Sequence, residues 1–282
     1  MKKLTFKYIF PLIVFIISLV LIVFSLILKL EEKREKEENY QKLLKEELVQ
    51  KEAKRKAEEK IQQKIYLMGK FNPSEREDFI LIPSKYATVE NKMYLRKETL
   101  DAFLKMQIAA DKDKVDLKIA SATRNFDYQK SIWNNKWTGM TLVDGKNLAK
   151  SIPDDLNRFK KILEYSAVPG TSRHHWGTDI DINDANGEYF KTKQGEKVYE
   201  WLVTNAPLFG FCQPYNLKGA ERETGYNEEK WHWSYLPLSK TFTEEYKNLI
   251  IDSDIKDFEG DKYVPNLNLI NDYVLGINPA CL

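Results

Sequence analysis

All three histidines of this 282-residue chain stand in two segments whose composition suits metal-assisted hydrolysis. Residues 172–181 read Ser-Arg-His-His-Trp-Gly-Thr-Asp-Ile-Asp, and residues 228–235 read Glu-Glu-Lys-Trp-His-Trp-Ser-Tyr. A catalytic zinc takes three protein ligands and keeps a fourth position open for water. His174, Asp181 and His232 can supply that set, for one ion per chain. A hydrolytic site also needs a carboxylate beside the metal to take a proton from the attacking water. Glu229, three residues before His232, is the candidate. Residues i and i+3 of a regular strand face opposite sides, so Glu229 must stand where the strand begins. No H-E-x-x-H occurs, which excludes the helix-borne zinc protease arrangement. His175 reads as structural or substrate-lining, and Trp176, Trp231 and Trp233 as core or cleft wall.

These residues need elements to hold them. Val115, Leu117 and Ile119 alternate with polar residues and predict a strand over 115–121. Ile180 and Ile182 alternate with Asp179, Asp181 and Asn183 after a turn at Gly177, and Trp231, Trp233 and Tyr235 alternate with His232 and Ser234. Helical spacing of apolar residues predicts helices over 97–110, 126–137 and 154–165, and another through Val198, Trp201 and Leu202 that ends before Gly210. Helices and short strands mix without a βαβ rhythm, so the expected fold class is α+β, a small antiparallel sheet with packed helices.

The rest of the chain is segregated. Residues 8–28 hold 21 residues without a charge, enough for a transmembrane helix and long for a cleaved signal peptide. Lys2, Lys3 and Lys7 before it suit a cytoplasmic N-terminus. Residues 29–68 are rich in Glu, Lys, Arg and Gln and lack Gly and Pro, which predicts a charged helical stalk reaching ~55 Å. Its thin apolar strip keeps no clean heptad, so a coiled-coil pairing of stalks is allowed but not demanded. The expected organisation is a tail at 1–7, an anchor at 8–28, a stalk at 29–68 and a catalytic domain at 69–282. An aromatic content of 12% excludes a wholly disordered chain, and two cysteines exclude a cysteine-rich zinc module. A net charge of +2 argues against nucleic acid as a partner. Cys212 and Cys281 can bridge in an oxidising compartment only if the fold brings them together.

At the candidate residues the chain resembles the zinc D-alanyl-D-alanine carboxypeptidases and dipeptidases of bacterial cell-wall metabolism and vancomycin resistance. Their S-x-H-x-x-G-x-A-x-D pattern reads here as Ser172, His174, Gly177 and Asp181, and their later E-x-W-H as Glu229, Trp231 and His232. Ser121, Arg124 and Gln129 resemble that family's S-x-x-R-x-x-x-x-Q element, and the likeness runs over roughly 70–240. The resemblance implies zinc on His174, Asp181 and His232, and Glu229 as general base and later acid. It implies Arg124 on the developing oxyanion or the substrate carboxylate, and Gln129 and Ser172 in the substrate subsite. It further implies peptidoglycan stem peptides as substrates; with the anchor read above, they would be trimmed outside the cytoplasmic membrane by a single-pass protein with its N-terminus inside. An L,D-carboxypeptidase, a cross-link endopeptidase and a non-catalytic wall-binding module are the alternatives. Asp179 stands where the family pattern has a small residue, as a partner for a histidine, a substrate contact or a rival ligand to Asp181.

Overall fold

The computed structural model describes residues 6–282, with side chains from residue 9 onward. Residues 1–5, and with them most of the expected 1–7 tail, lie outside the described residues. The chain divides into two compact units, one ending at Glu59 and the other spanning Lys60–Leu282.

The first unit is a stretch of one helix. Helix α1 (Phe6–Leu67) runs unbroken through the apolar and the charged segments. Its N-terminal part is long and apolar enough to cross a bilayer, with mean hydropathy 3.1 over its most apolar window. Further along, Glu52 pairs with Lys56 and with Arg55, and Arg55 also reaches Glu59. Solvated pairs of this kind add only about 0.2–0.5 kcal/mol each, so the charged run is helical by propensity rather than by packing.

The last turns of α1 belong to the second unit. Tyr66, Leu67 and Met68 are buried there, and Lys64 pairs with Asp254 at 2.6 Å. The helix stops because Gly69 turns left-handed at φ +71°, its N–H bonding the Tyr66 carbonyl while the Lys70 N–H bonds the Ile65 carbonyl. A Cβ at Gly69 would lie 2.4 Å from His175 Nδ1, so no other residue fits without displacing that ring.

After it come β1 (Phe79–Leu81), β2 (Tyr94–Arg96), α2 (Lys97–Lys112), β3 (Ile119–Ser121), α3 (Phe126–Thr138), α4 (Leu148–Ser151) and α5 (Asp155–Leu163). Then follow β4 (Asp179–Ile182), α6 (Lys193–Asn205), β5 (Phe211–Cys212), β6 (His232–Tyr235) and α7 (Leu236–Leu249). β1 and β2 form an antiparallel ribbon, and the other four strands form an antiparallel sheet in the order β3-β4-β6-β5. The fold is therefore α+β with small antiparallel sheets. The expected strand over 115–121 shortens to Ile119–Ser121. Upstream of it the backbone is taken by the Asn183 side chain, which accepts from the Lys118 N–H and donates to the Asp116 carbonyl.

Two apolar clusters hold this unit. One packs Ile180, Ile182 and Trp233 of the sheet against Leu100, Phe103 and Met106 of α2 and Val198 and Leu202 of α6. The other gathers Leu67, Trp133, Phe159, Leu163 and Tyr246. A Cys212–Cys281 disulfide, Cα–Cα 5.7 Å, ties the C-terminal segment to β5.

Candidate metal centre

Side chains alternate along a strand, so the residues of β4 and β6 that do not enter the apolar cluster share the opposite face. Those residues are Asp179, Asp181, His232 and Ser234, and all four are buried. The register sets Asp181 directly opposite His232, and Asp179 opposite Ser234. His174 arrives from a single 3-10 turn, Arg173–Trp176, closed by Gly177 at φ +72°. A Cβ at Gly177 would meet the Phe79 ring at 2.4 Å.

The segment after β3 fixes that turn. His174 Nδ1 lies 2.8 Å from the Ala122 carbonyl, and the Arg124 N–H donates to the His174 carbonyl at 3.2 Å. A carbonyl only accepts, so His174 carries its proton on Nδ1 and turns a bare Nε2 toward Asp181. That Nε2 and Asp181 Oδ1 lie 3.3 Å apart, yet neither has a hydrogen-bond partner although both are buried. His232 Nε2 donates to Asp179 Oδ2 at 2.9 Å, which leaves Nδ1 facing Asp181 Oδ1 at 3.7 Å. One ligand atom from each of His174, Asp181 and His232 fits within 4.8 Å of the others. Two imidazole nitrogens and one carboxylate oxygen, two of them buried without partners, fit a divalent cation such as zinc with a coordination position to spare.

Asp179 is engaged elsewhere than as a rival ligand. Its oxygens accept from Arg173 Nε at 3.1 Å, Thr178 Oγ1 at 2.7 Å, Ser234 Oγ at 2.8 Å and His232 Nε2. Burial raises its pKa, but the Arg173 guanidinium and the His232 contact outweigh that and hold it well below the usual carboxylate range. Burial also opposes charge on His232, and its hydrogen bonds to Asp179 and Glu229 overcome that to push its pKa up to about 9. His175 is a clamp between loops, accepting on Nε2 from the Gly170 N–H at 3.0 Å and donating from Nδ1 to the Arg124 carbonyl at 2.6 Å. Burial takes its pKa down to about 3, in keeping with a neutral ring.

The remaining candidates surround this face. Glu229 Oε2 lies 2.9 Å from His232 Nδ1, the atom turned toward Asp181. Its backbone is set by bonds from its N–H to the Tyr215 carbonyl and from Gln213 Nε2 to its own carbonyl. Arg124 Nη2 lies 3.7 Å from Asp181 Oδ2, and its Nε is buried without a partner. Ser172 lines a cleft of about 310 Å³ together with Arg124, Ser166, Tyr226, Glu229 and His232. Gln129 is buried and spends its Nε2 on the Ala167 carbonyl at 2.8 Å, behind the cleft wall. A wider groove of about 1090 Å³ borders Arg124 and Asp181 from the other side, along Met93, Ala122 and Tyr128. Ser166, which the sequence did not single out, lines the cleft and is bonded by Lys136 of α3.

The family model for VanY, D-alanyl-D-alanine carboxypeptidase, matches residues 92–238, slightly more than half of the chain. YodJ of Bacillus subtilis (strain 168), a carboxypeptidase by name, is 30% identical over 185 residues, covering 62% of this chain and 58% of its own length. A D-alanyl-D-alanine carboxypeptidase of Enterococcus faecalis (strain V583) is 30% identical over 167 residues, covering 56% of this chain and 55% of its own. The chain thus spans little more than half the length of these two relatives. Among solved structures, a Zn(II) complex of a mutant vancomycin resistance D,D-pentapeptidase VanY is similar at 26% identity and TM-score 0.42, covering 62% of this chain and 94% of that one. The LdcB LD-carboxypeptidase is similar at 26% identity and TM-score 0.44, covering 66% of this chain and 80% of that one.

Proposed function

The chain belongs to the VanY family of D-alanyl-D-alanine carboxypeptidases, and from that premise we propose that it is a membrane-anchored zinc D,D-carboxypeptidase removing the terminal D-alanine of peptidoglycan stem peptides. The observation that carries the reading is the gathering of two unpartnered ligand atoms, on His174 and Asp181, with His232 and the Glu229 carboxylate that bonds it. Zinc on His174, Asp181 and His232 would supply Lewis acidity, lowering the pKa of a water and polarising the scissile carbonyl.

The chain's own groups do the rest. Glu229 takes a proton from the attacking water and returns it to the departing amine nitrogen, so the peptide bond breaks with no net proton change. Arg124 keeps a permanent charge beside the reacting carbonyl, and its fork of donors suits an oxyanion. Asp179 orients His232 through Nε2, and the Ala122 carbonyl orients His174 through Nδ1. The wider groove beyond Arg124 accommodates the stem peptide, and the narrower cleft with Ser172 receives the terminal residue. Gln129 acts behind that cleft by fixing the Ala167 carbonyl. The apolar segment of α1 anchors the chain with its N-terminus in the cytoplasm, and the charged segment serves as a spacer toward the wall, without requiring stalks to pair.

The test uses the full-length chain in detergent, loaded with zinc. D-alanine should appear from a pentapeptide stem, and Glu229→Ala should slow release about 10²- to 10⁴-fold with zinc content unchanged. Release from a tetrapeptide alone would convert the reading to an L,D-carboxypeptidase. Cleavage of cross-linked wall alone would make it an endopeptidase. No cleavage of any of these by folded, zinc-loaded protein would leave a wall-binding module.

A further inference from the structure

Between β5 and β6 the chain runs from Gln213 to Trp231 without a helix or a strand, and Glu229 stands near the end of that run. A carboxylate on such a segment is placed by the bonds its main chain makes. The Glu229 N–H donates to the Tyr215 carbonyl at 2.9 Å. The Glu229 carbonyl accepts from the His232 N–H at 3.3 Å and from Gln213 Nε2 at 3.1 Å. Gln213 supplies its bond from a side chain, and that side chain is buried. Both ends of its amide are engaged. Nε2 also reaches the Tyr215 carbonyl at 3.3 Å, and Oε1 accepts from Tyr199 Oη of α6 at 3.0 Å. Backbone carbonyls only accept, so the amide takes one orientation, with its nitrogen toward Glu229. The stretch that carries Gln213 is fastened in turn to the C-terminal segment. Asn278 donates its N–H to the Pro214 carbonyl at 2.8 Å and its Nδ2 to the Gln213 carbonyl at 3.1 Å. Cys281 of the same segment is bonded to Cys212, the neighbour of Gln213, which β5 pairs with Ser234 of β6.

We propose that Gln213 is a positioning residue for the general base Glu229, itself kept in place by the C-terminal segment through Asn278 and the Cys212–Cys281 bridge. The inference rests on the peptidase reading above and deepens it. Gln213 bonds the main chain of Glu229 and not its carboxylate, so it acts through where Glu229 stands. A base must lie within hydrogen-bond reach of the proton it takes, and a displacement of about 1 Å can cost on the order of 10²-fold in rate. The same carbonyl that Gln213 holds also accepts from the His232 N–H, so the base and a metal ligand are referred to one fixed point. The metal ligands keep their own supports: the β4–β6 register for Asp181 and His232, and the Ala122 carbonyl for His174. Loss of the Gln213 amide therefore falls on the chemical step and spares the metal.

The experiment measures D-alanine release from a pentapeptide stem by the full-length zinc-loaded chain, in a double-mutant cycle of Gln213→Met and Glu229→Ala. Methionine keeps the length and most of the volume of glutamine and lacks the amide. Gln213→Met should lower kcat about 10- to 100-fold, with KM and zinc content within about threefold of wild type. In the Glu229→Ala background the same change should alter kcat by less than about twofold, since no base is left to position. Tyr199→Phe removes the partner of Oε1 and leaves the Nε2 bond, so it should lower thermal stability while kcat stays within about threefold. Cys212→Ala together with Cys281→Ala should lower kcat about three- to tenfold, and by less than about twofold once Gln213→Met is present. Gln213→Asn, whose amide falls a methylene short of Glu229, takes the place of Gln213→Met if that variant does not fold, with the same outcomes. A kcat loss of equal size with and without Glu229 makes Gln213 structural and overturns the assignment. So does an unchanged kcat in the folded Gln213 variant, or a kcat loss of the same size in Tyr199→Phe. A wild type that releases nothing, or a Glu229→Ala chain as fast as wild type, fails at the earlier step and sinks the reading on which the positioning role stands.

Discussion

The eight residues of strands β4 and β6 are divided between two faces that do opposite things. Toward α2 and α6 they present Ile180, Ile182 and Trp233, which need only apolar volume around them. Toward the 3-10 turn at 173–176 they present Asp179, Asp181, His232 and Ser234, equally buried but each demanding a partner. Burying a charge costs several kcal/mol unless it is paired, so the second face exists only because Arg173, Thr178 and the histidines were built around it. The apolar face is tolerant in kind and sensitive to volume, whereas the polar face is sensitive to each atom. Both faces being dry also explains why alternation of apolar and polar residues here marks a site rather than a solvated sheet surface.

The largest effect is expected where the comparison is broken on the polar side. Asp179→Asn removes the negative charge that holds Arg173 and orients His232. An uncompensated buried guanidinium should cost about 3–5 kcal/mol of stability. Zinc affinity should fall about 10- to 100-fold because His232 loses its anionic partner. Thermal unfolding and a zinc competition titration read the two separately. A stability loss with unchanged zinc affinity would mean that Asp179 packs the face without tuning it.

Trp233→Ala is the matching change on the apolar side. Trp233 is 2% exposed and its truncation should cost about 3–5 kcal/mol in unfolding free energy. Zinc affinity in the protein that remains folded should move by less than about threefold, since the β4–β6 register is backbone-borne. A zinc loss as large as that of Asp179→Asn would show that the two faces cannot be separated, and would end the comparison.

How far this was legible in the sequence follows from the same contrast. Periodicity marked β4 and β6 and put Asp179 and Asp181 on one face, because parity along a strand is a local property. The residue types and spacing singled out His174, Asp181, His232 and Glu229; the first three gather their ligand atoms within 4.8 Å, and Glu229 joins His174 and His232 at the cleft. Register is not local, and nothing in the residues said that Asp181 would stand opposite His232 or that Asp179 would be absorbed by Arg173. The bridge of Cys212 to Cys281 depends in the same way on chain path. The ribbon of β1 and β2 was missed because three-residue strands carry too few alternations to read. That the end of the charged helix is buried in the second unit was hidden for a different reason. Tyr66, Leu67 and Met68 continue a helical run whose composition is that of a solvated rod, and only the tertiary packing singles them out.

That helix end supports the polar face from behind and offers the smallest effect. Tyr66 Oη donates to the Trp176 carbonyl at 2.7 Å and accepts from Arg96 Nη1 at 3.1 Å, and Trp176 Nε1 donates to the Leu67 carbonyl at 3.0 Å. These bonds brace the turn that carries His174. Burial pushes the Tyr66 pKa up to about 12, so the phenol stays protonated and donating at every pH in which the domain would be assayed. Tyr66→Phe keeps the ring against Phe71 and Phe242 and deletes only the hydroxyl. It should cost about 1–2 kcal/mol of stability, because it leaves the Trp176 carbonyl unpaired. Zinc affinity should fall by no more than about threefold, since Trp176 Nε1 still ties the turn to Leu67. A larger zinc effect, at equal stability loss, would mean that the helix end sets the position of His174 as well as its support, and the polar face would then extend through the turn into α1.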